Sequence, residues 1–143
     1  MKPLIRIGRI PILRKSKQET RYKEKDTSMR ENDLLKRTFT FGVDCIKFLR
    51  KLPNNQEYYV LKNQLIKSCT STGANYEESQ AGSSKADFKN KVRIALREAR
   101  ESNYWLRIIK ALEDIRSEEL DRLLNESEEL KKILGSIVNN TKE

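Results

Sequence analysis

Between residues 32 and 138 the apolar side chains return at steps of three and four, in four runs separated by short breaks. That spacing builds one greasy side on a helix and is incompatible with the two-residue alternation of a half-buried strand. The first run opens at Asn32 or Asp33, either of which can cap a helix N-terminus. It carries two adjacent rows, Leu35, Phe39, Val43, Ile46 and Leu49, and beside it Leu34, Phe41, Cys45, Phe48 and Leu52. Pro53 followed by Asn54-Asn55 closes it, because proline cannot continue a helix and disfavours the helical conformation at the residue before it.

The second run covers residues 56–80, with Tyr58, Leu61, Leu65, Cys69, Thr72 and Tyr76 in step. Its middle, Ser68-Cys69-Thr70-Ser71-Thr72-Gly73-Ala74, consists of small residues. Thr and Gly form helix poorly, so propensity favours a loop at 70–75. Small side chains also let two helix axes approach closely, and on that ground the run is expected to stay helical. A break at Ala81-Gly82-Ser83-Ser84 follows, where Ser84 and Asp87 resemble a capping box. The third run, residues 85–115, is the longest, and its main stripe is Phe88, Val92, Ala95, Ala99, Leu106 and Ile109. Ser117 caps the fourth, with Glu118 and Glu119 in the first turn, where acids favour the helix dipole. Leu120, Leu123, Leu130, Ile133, Leu134 and Ile137 are among the residues of its stripe.

Four helices joined by short connections predict an all-α, antiparallel up-down-up-down bundle. With 5 Gly and 3 Pro in 143 residues, a many-turned β sandwich is excluded. No apolar stretch approaches the roughly 20 residues needed to cross a bilayer.

The net charge of +9 is uneven. Residues 1–30 hold ten basic and three acidic side chains, whereas residues 31–143 are nearly balanced. Arg6, Arg9 and Arg14 interrupt every apolar run a secretory signal would need, and Pro11 weakens the helix of a mitochondrial presequence. A cytoplasmic location is therefore expected. Residues 14–30 show no apolar periodicity and read as a disordered linker. Met29 lies just before the periodic pattern, so residues 1–28 are expected to be a basic, disordered N-terminal extension upstream of the native start. Such an arm suits nucleic acid or acidic lipid, or is simply an unstructured end.

Histidine is absent. That removes the commonest acid–base group and the commonest ligand of catalytic zinc. A di-iron bundle uses Glu-x-x-His pairs, so it is excluded too. An all-carboxylate site from Glu77-Glu78 or Glu98 and Glu101 is disfavoured, since adjacent residues point to different faces. No nucleophile–base pair, P-loop or dinucleotide fingerprint occurs. The chain is expected to have no catalytic residue, no metal and no cofactor. Cys45 and Cys69 have no metal-ligand spacing and read as small buried residues in a reducing compartment, with a bridge open to them only if their helices face each other.

The third run offers two further faces. Ile94, Trp105, Ile108 and Leu112 fall on a different side from Phe88 and Val92 at about 100° per residue. A helix in a small bundle typically buries one stripe, so this second one predicts an interface with another copy, or else a thick core around Trp105. Lys89, Arg93, Arg97, Arg100 and Arg107 form a basic row with Tyr104 among them. Such a row can follow a phosphate backbone, and Tyr104 can stack on an unpaired base. The competing reading is a solvated face neutralised by Glu98 and Glu101.

Residues 63–106 carry a recognisable pattern: Ser71-x-Gly73-Ala74-Asn75-x-Glu77-Glu78, then Asp87-Phe88, the segment Ala95-Leu96-Arg97-Glu98-Ala99-Arg100-Glu101, and Tyr104-Trp105-Leu106. It resembles the four helix bundle family that includes the 23S rRNA intervening-sequence proteins of bacteria, and the resemblance extends over about residues 31–138. It implies a homopentamer of antiparallel bundles. A related member, the accessory variability protein of diversity-generating retroelements, has a basic surface, binds nucleic acid and works with a reverse transcriptase. The resemblance assigns no catalytic residues; it implies packing and assembly roles at Gly73, Asn75, Glu77, Glu98 and Trp105, with Asn75 or Glu77 bonding across helices. The expected function is a non-enzymatic homo-oligomer binding RNA or DNA by charge and shape. The alternative is a scaffold or accessory subunit for a reverse transcriptase or ribosomal component.

Overall fold

The computed structural model describes residues 17–82, 84–112 and 116–142, with side chains from Asp33 onward. The described residues form α1 (Lys17–Leu49), α2 (Gln56–Ser79), α3 (Lys85–Ala111) and α4 (Glu118–Asn140) and contain no strand. The chain divides into two units at Arg37/Thr38. Of the first, the described part is the leading portion of α1. The second contains the rest of α1 and the three other helices.

The first helix begins at Lys17, not at Asn32 or Asp33. The added stretch is rich in Glu, Lys and Arg and lacks Gly and Pro, so propensity sustains it without an apolar stripe. Residues 1–16 of the expected extension lie outside the described residues. The other boundaries follow local capping. Asn55 Oδ1 accepts from Tyr58 N at 2.8 Å, Ser84 Oγ from Asp87 N at 3.1 Å, and Ser117 Oγ from Leu120 N at 3.0 Å. Each satisfies one of the donors that a helix start leaves unpaired. α3 ends at Ala111, and residues 113–115 of the expected run lie outside the described residues.

The core of the second unit takes mainly one of the two rows of the first run: Phe41, Cys45, Phe48 and Leu52 are each at most 4% exposed, and Leu49 from the other row joins them at 2%. Its partners include Leu65 and Tyr76 of α2, Val92 and Leu106 of α3, and Leu123 and Leu130 of α4, all buried. The small-residue middle of α2 is helical. A β-carbon at Gly42 would lie 3.3 Å from the Cys69 carbonyl oxygen, and one at Gly73 would lie 3.1 Å from that of Thr38. The two backbones thus approach so closely that a larger residue would force them to give by a few tenths of an ångström, and this tertiary closeness overrides the poor local propensity. Cys45 and Cys69 are buried free thiols on these two helices. Their mutual hydrogen bond, reinforced by burial, holds the Cys45 thiol far above its ordinary pKa.

Polar groups join the remaining seams. Ser102 Oγ of α3 donates to Ser68 Oγ of α2 at 2.9 Å. Asn103 Nδ2 donates to Ser127 Oγ and to Glu128 Oε1 of α4, both at 2.9 Å. Lys110 pairs with Asp121 at 2.7 Å, and Arg122 of α4 pairs with Asp44 of α1 at 3.2 Å.

Candidate nucleic-acid interface on the third helix

Two contacts orient α3. Ser102 points to α2, and Asn103 points to α4. Successive residues turn by about 100°, so every other side chain can be placed from these two. Lys89, Arg93, Arg97, Arg100 and Arg107 lie toward the α4 side of the outer surface, and Ile94, Trp105, Ile108 and Leu112 lie toward the α2 side.

Arg93, Arg97, Arg100 and Arg107 are exposed, and Lys89 is half-buried. Among the described residues, no ion pair joins this row to a carboxylate. Neither of the two acids expected to neutralise it forms an ion pair with it among the described residues, although Arg97 acts on the Glu98 carboxyl through its charge. Glu98 is half-buried, and desolvation, with Glu101 adding repulsion, raises its pKa. Glu101 Oε1 accepts a long bond, 3.5 Å, from the Trp105 indole nitrogen. Arg107 is tethered, donating from Nε to Asn103 Oδ1 at 3.0 Å. Its guanidinium also lies over the Tyr104 ring, 5.6 Å from the centroid. Tyr104 is 48% exposed and meets Trp105 edge-on, with ring centroids 5.0 Å apart.

Across the α3/α4 seam, residue 103 stands opposite 127 and residue 110 near 121. Continuing that register puts residues 93–100 beside the second half of α4. Lys131 and Lys132 lie there, and residues 130–142 include no acid. The nearby carboxylates on α4 are Glu129, which is exposed, and Glu128, which is already bonded: Lys131 at 3.2 Å, with Asn103 adding a second bond, holds Glu128 below the ordinary glutamate value.

The proposed assembly stripe is less open than the basic row. Ile94, Trp105 and Ile108 are half-buried, and Leu112 is 39% exposed. The most exposed large apolar residues lie elsewhere: Phe39 at 71% on α1 and Tyr59 at 69% on α2. With Val43, Ile46 and Ile66 they flank the line where Gly42 and Gly73 bring α1 and α2 together. Phe39, Val43 and Ile46 belong to the other α1 row, of which Leu49 alone among these neighbours is in the core. Periodicity revealed both rows and gave no sign of which one turns inward.

Of the residues singled out by family pattern, Gly73 serves packing. Asn75 does not bond across helices: its Nδ2 donates to Ser71 O on its own helix at 2.8 Å. Glu77 is exposed, and no described cross-helix hydrogen bond involves it. Among the described residues, no three His, Cys, Asp or Glu side chains gather as a metal site. No described helix is long and apolar enough to cross a membrane.

Comparison with known proteins agrees with this architecture. No curated protein matches. The crystal structure of a protein of unknown function from the S23 ribosomal protein family of Bacteroides thetaiotaomicron superposes with a TM-score of 0.69 at 36% identity. The match covers 75% of this chain and 99% of that one. The family model described as 23S rRNA-intervening sequence protein matches residues 30–136. A match over that much of the chain makes it a member of the 23S rRNA-intervening sequence protein family.

Proposed function

We propose that this chain is a non-enzymatic, cytoplasmic homo-oligomer of antiparallel up-down-up-down four-helix bundles that binds RNA or DNA through the α3 basic row by charge and shape. The observation that carries this reading is the exposure of Arg93, Arg97 and Arg100 with no ion pair to a carboxylate among the described residues. Arginine pairs with phosphate oxygens through two parallel hydrogen bonds, and each phosphate neutralised releases counterions. The family name makes RNA the first probe. A pentamer, the state implied by the family resemblance, would repeat the row around a ring and multiply the local potential.

The test is binding of labelled RNA and DNA across a salt series. Affinity is expected to fall steeply with salt, with a log–log slope near −0.7 to −0.9 per phosphate contacted. Replacing Arg93, Arg97 and Arg100 together by Glu should abolish binding; intact binding in that variant rules the row out as the site.

A second reading is a protein-binding scaffold or accessory subunit, of the kind that serves a reverse transcriptase or a ribosomal component. The open apolar face around Phe39 and Tyr59 favours it. A chain that binds no oligonucleotide at low salt would leave this reading in place.

A further inference from the structure

We infer that the α3 surface takes single-stranded rather than duplex nucleic acid, with Tyr104 as the platform on which an unpaired base stacks. The inference rests on the nucleic-acid reading above and specifies which form of nucleic acid the site accepts. Arg93, Arg97, Arg100, Tyr104 and Arg107 follow one another at steps of four, three, four and three, so they form a single stripe. At 1.5 Å per residue the stripe runs about 21 Å along the helix. The aromatic ring is thus set within the line of cations, with Arg100 on one side and Arg107 on the other.

The ring is held and still accessible. Arg107 lies over it at 5.6 Å, and the Trp105 ring meets it edge-on with an interplanar angle of 80°. Arg107 is itself fixed by its bond to Asn103, a buried residue tied in turn to Ser127 and Glu128. An orientation secured by that chain of contacts reduces the entropy lost on stacking. Yet 48% of Tyr104 stays open to solvent.

The chemistry separates the two forms of nucleic acid. A duplex keeps its base faces stacked inside and offers phosphates and base edges, for which the arginines suffice. A single strand offers free base faces, and stacking on an aromatic ring tolerates any sequence. An exposed tyrosine inside a phosphate-binding row adds affinity only for the second.

The experiment uses the full chain and fluorescence polarisation with labelled 12-nucleotide oligo(U) and oligo(A) RNA strands, their DNA equivalents, and the duplex formed from the two RNAs. Single strands are expected to bind at least tenfold more tightly than the duplex. Tyr104→Ala should weaken single-strand binding by about five- to 150-fold, the range of one lost stacking contact, and leave duplex binding unchanged. Tyr104→Phe, which keeps the ring, should retain single-strand affinity. The chain has one tryptophan, so quenching of Trp105 emission by the single strand and its loss in Tyr104→Ala give a second readout. Equal affinity for duplex and single strands with a silent Tyr104→Ala overturns this inference and leaves the basic row standing. Absence of binding by every probe overturns both.

Discussion

Gly73 lies so close to the Thr38 backbone that a β-carbon there would stand 3.1 Å from the carbonyl oxygen and 3.2 Å from its carbon. Both neighbours are main-chain atoms, so neither can rotate away. Gly73→Ala therefore gains about 1 kcal/mol of helix propensity and loses more by forcing α1 and α2 apart. A net destabilisation of about 1–2 kcal/mol is expected. Gly135, on α4, is the control, since a β-carbon there meets nothing within 4 Å. Gly135→Ala should stabilise by about 0.5–1 kcal/mol. Denaturant midpoints of the two variants should move in opposite directions.

The same close approach explains what sequence reading reached and what it did not. Asn55, Ser84 and Ser117 announce helix starts because capping is a local event. The α3 basic row was legible for a related reason: once Val92, Ala95 and Ala99 mark the inward face, rotation alone places Arg93, Arg97 and Arg100 outside. Which α1 row turns inward is a different matter. Phe39 and Phe41 are equally apolar, and only the fit of Gly42 and Gly73 against the facing backbone turns Phe41 in and Phe39 out. Asn103 was missed because its partners, Ser127 and Glu128, are set by the α3/α4 register. The start of α1 was missed because Lys17 and the residues after it form helix by propensity, without the apolar rhythm that signals one.

Asn103 is 1% exposed, and both its amide hydrogens and its carbonyl oxygen are bonded. Asn103→Leu keeps the approximate volume but leaves Ser127 and Glu128 without that donor and frees Arg107. A loss of about 1–3 kcal/mol is expected, measured by thermal or denaturant unfolding. The substitution should also release Arg107 from its position over Tyr104 and raise the mobility of that ring, seen as a change in Trp105 emission anisotropy.

Glu98 of α3 and Glu128 of α4 have pKa values displaced in opposite senses. Lys131, with Asn103 adding to it, lowers the Glu128 pKa. Its contribution to stability is present above the unfolded-state value near 4.5 and is lost as pH falls through the depressed native value. Burial, with Glu101 adding to it, raises the Glu98 pKa. Its contribution is fullest below the unfolded value and is lost as pH rises through the raised native one. Glu128→Gln should therefore lower the melting temperature at pH 7, and Glu98→Gln should raise it. Both differences should shrink as pH falls, the Glu98 difference first and the Glu128 difference only as pH drops through its depressed native value. Melting curves across that pH range decide the matter.

Cys45 and Cys69 are each 0% exposed, and the Cys45 thiol is held protonated by its hydrogen bond to Cys69 and by burial. The thiolate is the reactive form, so neither side chain should react with an aromatic disulfide reagent in the native protein. Both should react within seconds in denaturant. Rapid labelling of the folded chain would show that α1 and α2 separate far more readily than their packing implies.

The proposed pentamer makes a stricter demand than a dimer would. A closed ring of more than two copies uses a heterologous interface, in which one face of each protomer meets a different face of the next. The chain presents two candidates: Ile94, Trp105, Ile108 and Leu112 on α3, and the exposed face around Phe39 and Tyr59 on α1 and α2. Ile108→Glu and Phe39→Glu should each convert the oligomer to a monomer of unchanged helicity, measured by sedimentation and circular dichroism. Mixing the two monomeric variants should restore only paired assembly, because each retains the face the other lacks. A native chain that sediments as a monomer at high micromolar concentration rules the ring out. The α3 arginines would then act as one row per molecule, and the salt slope of RNA binding should fall accordingly.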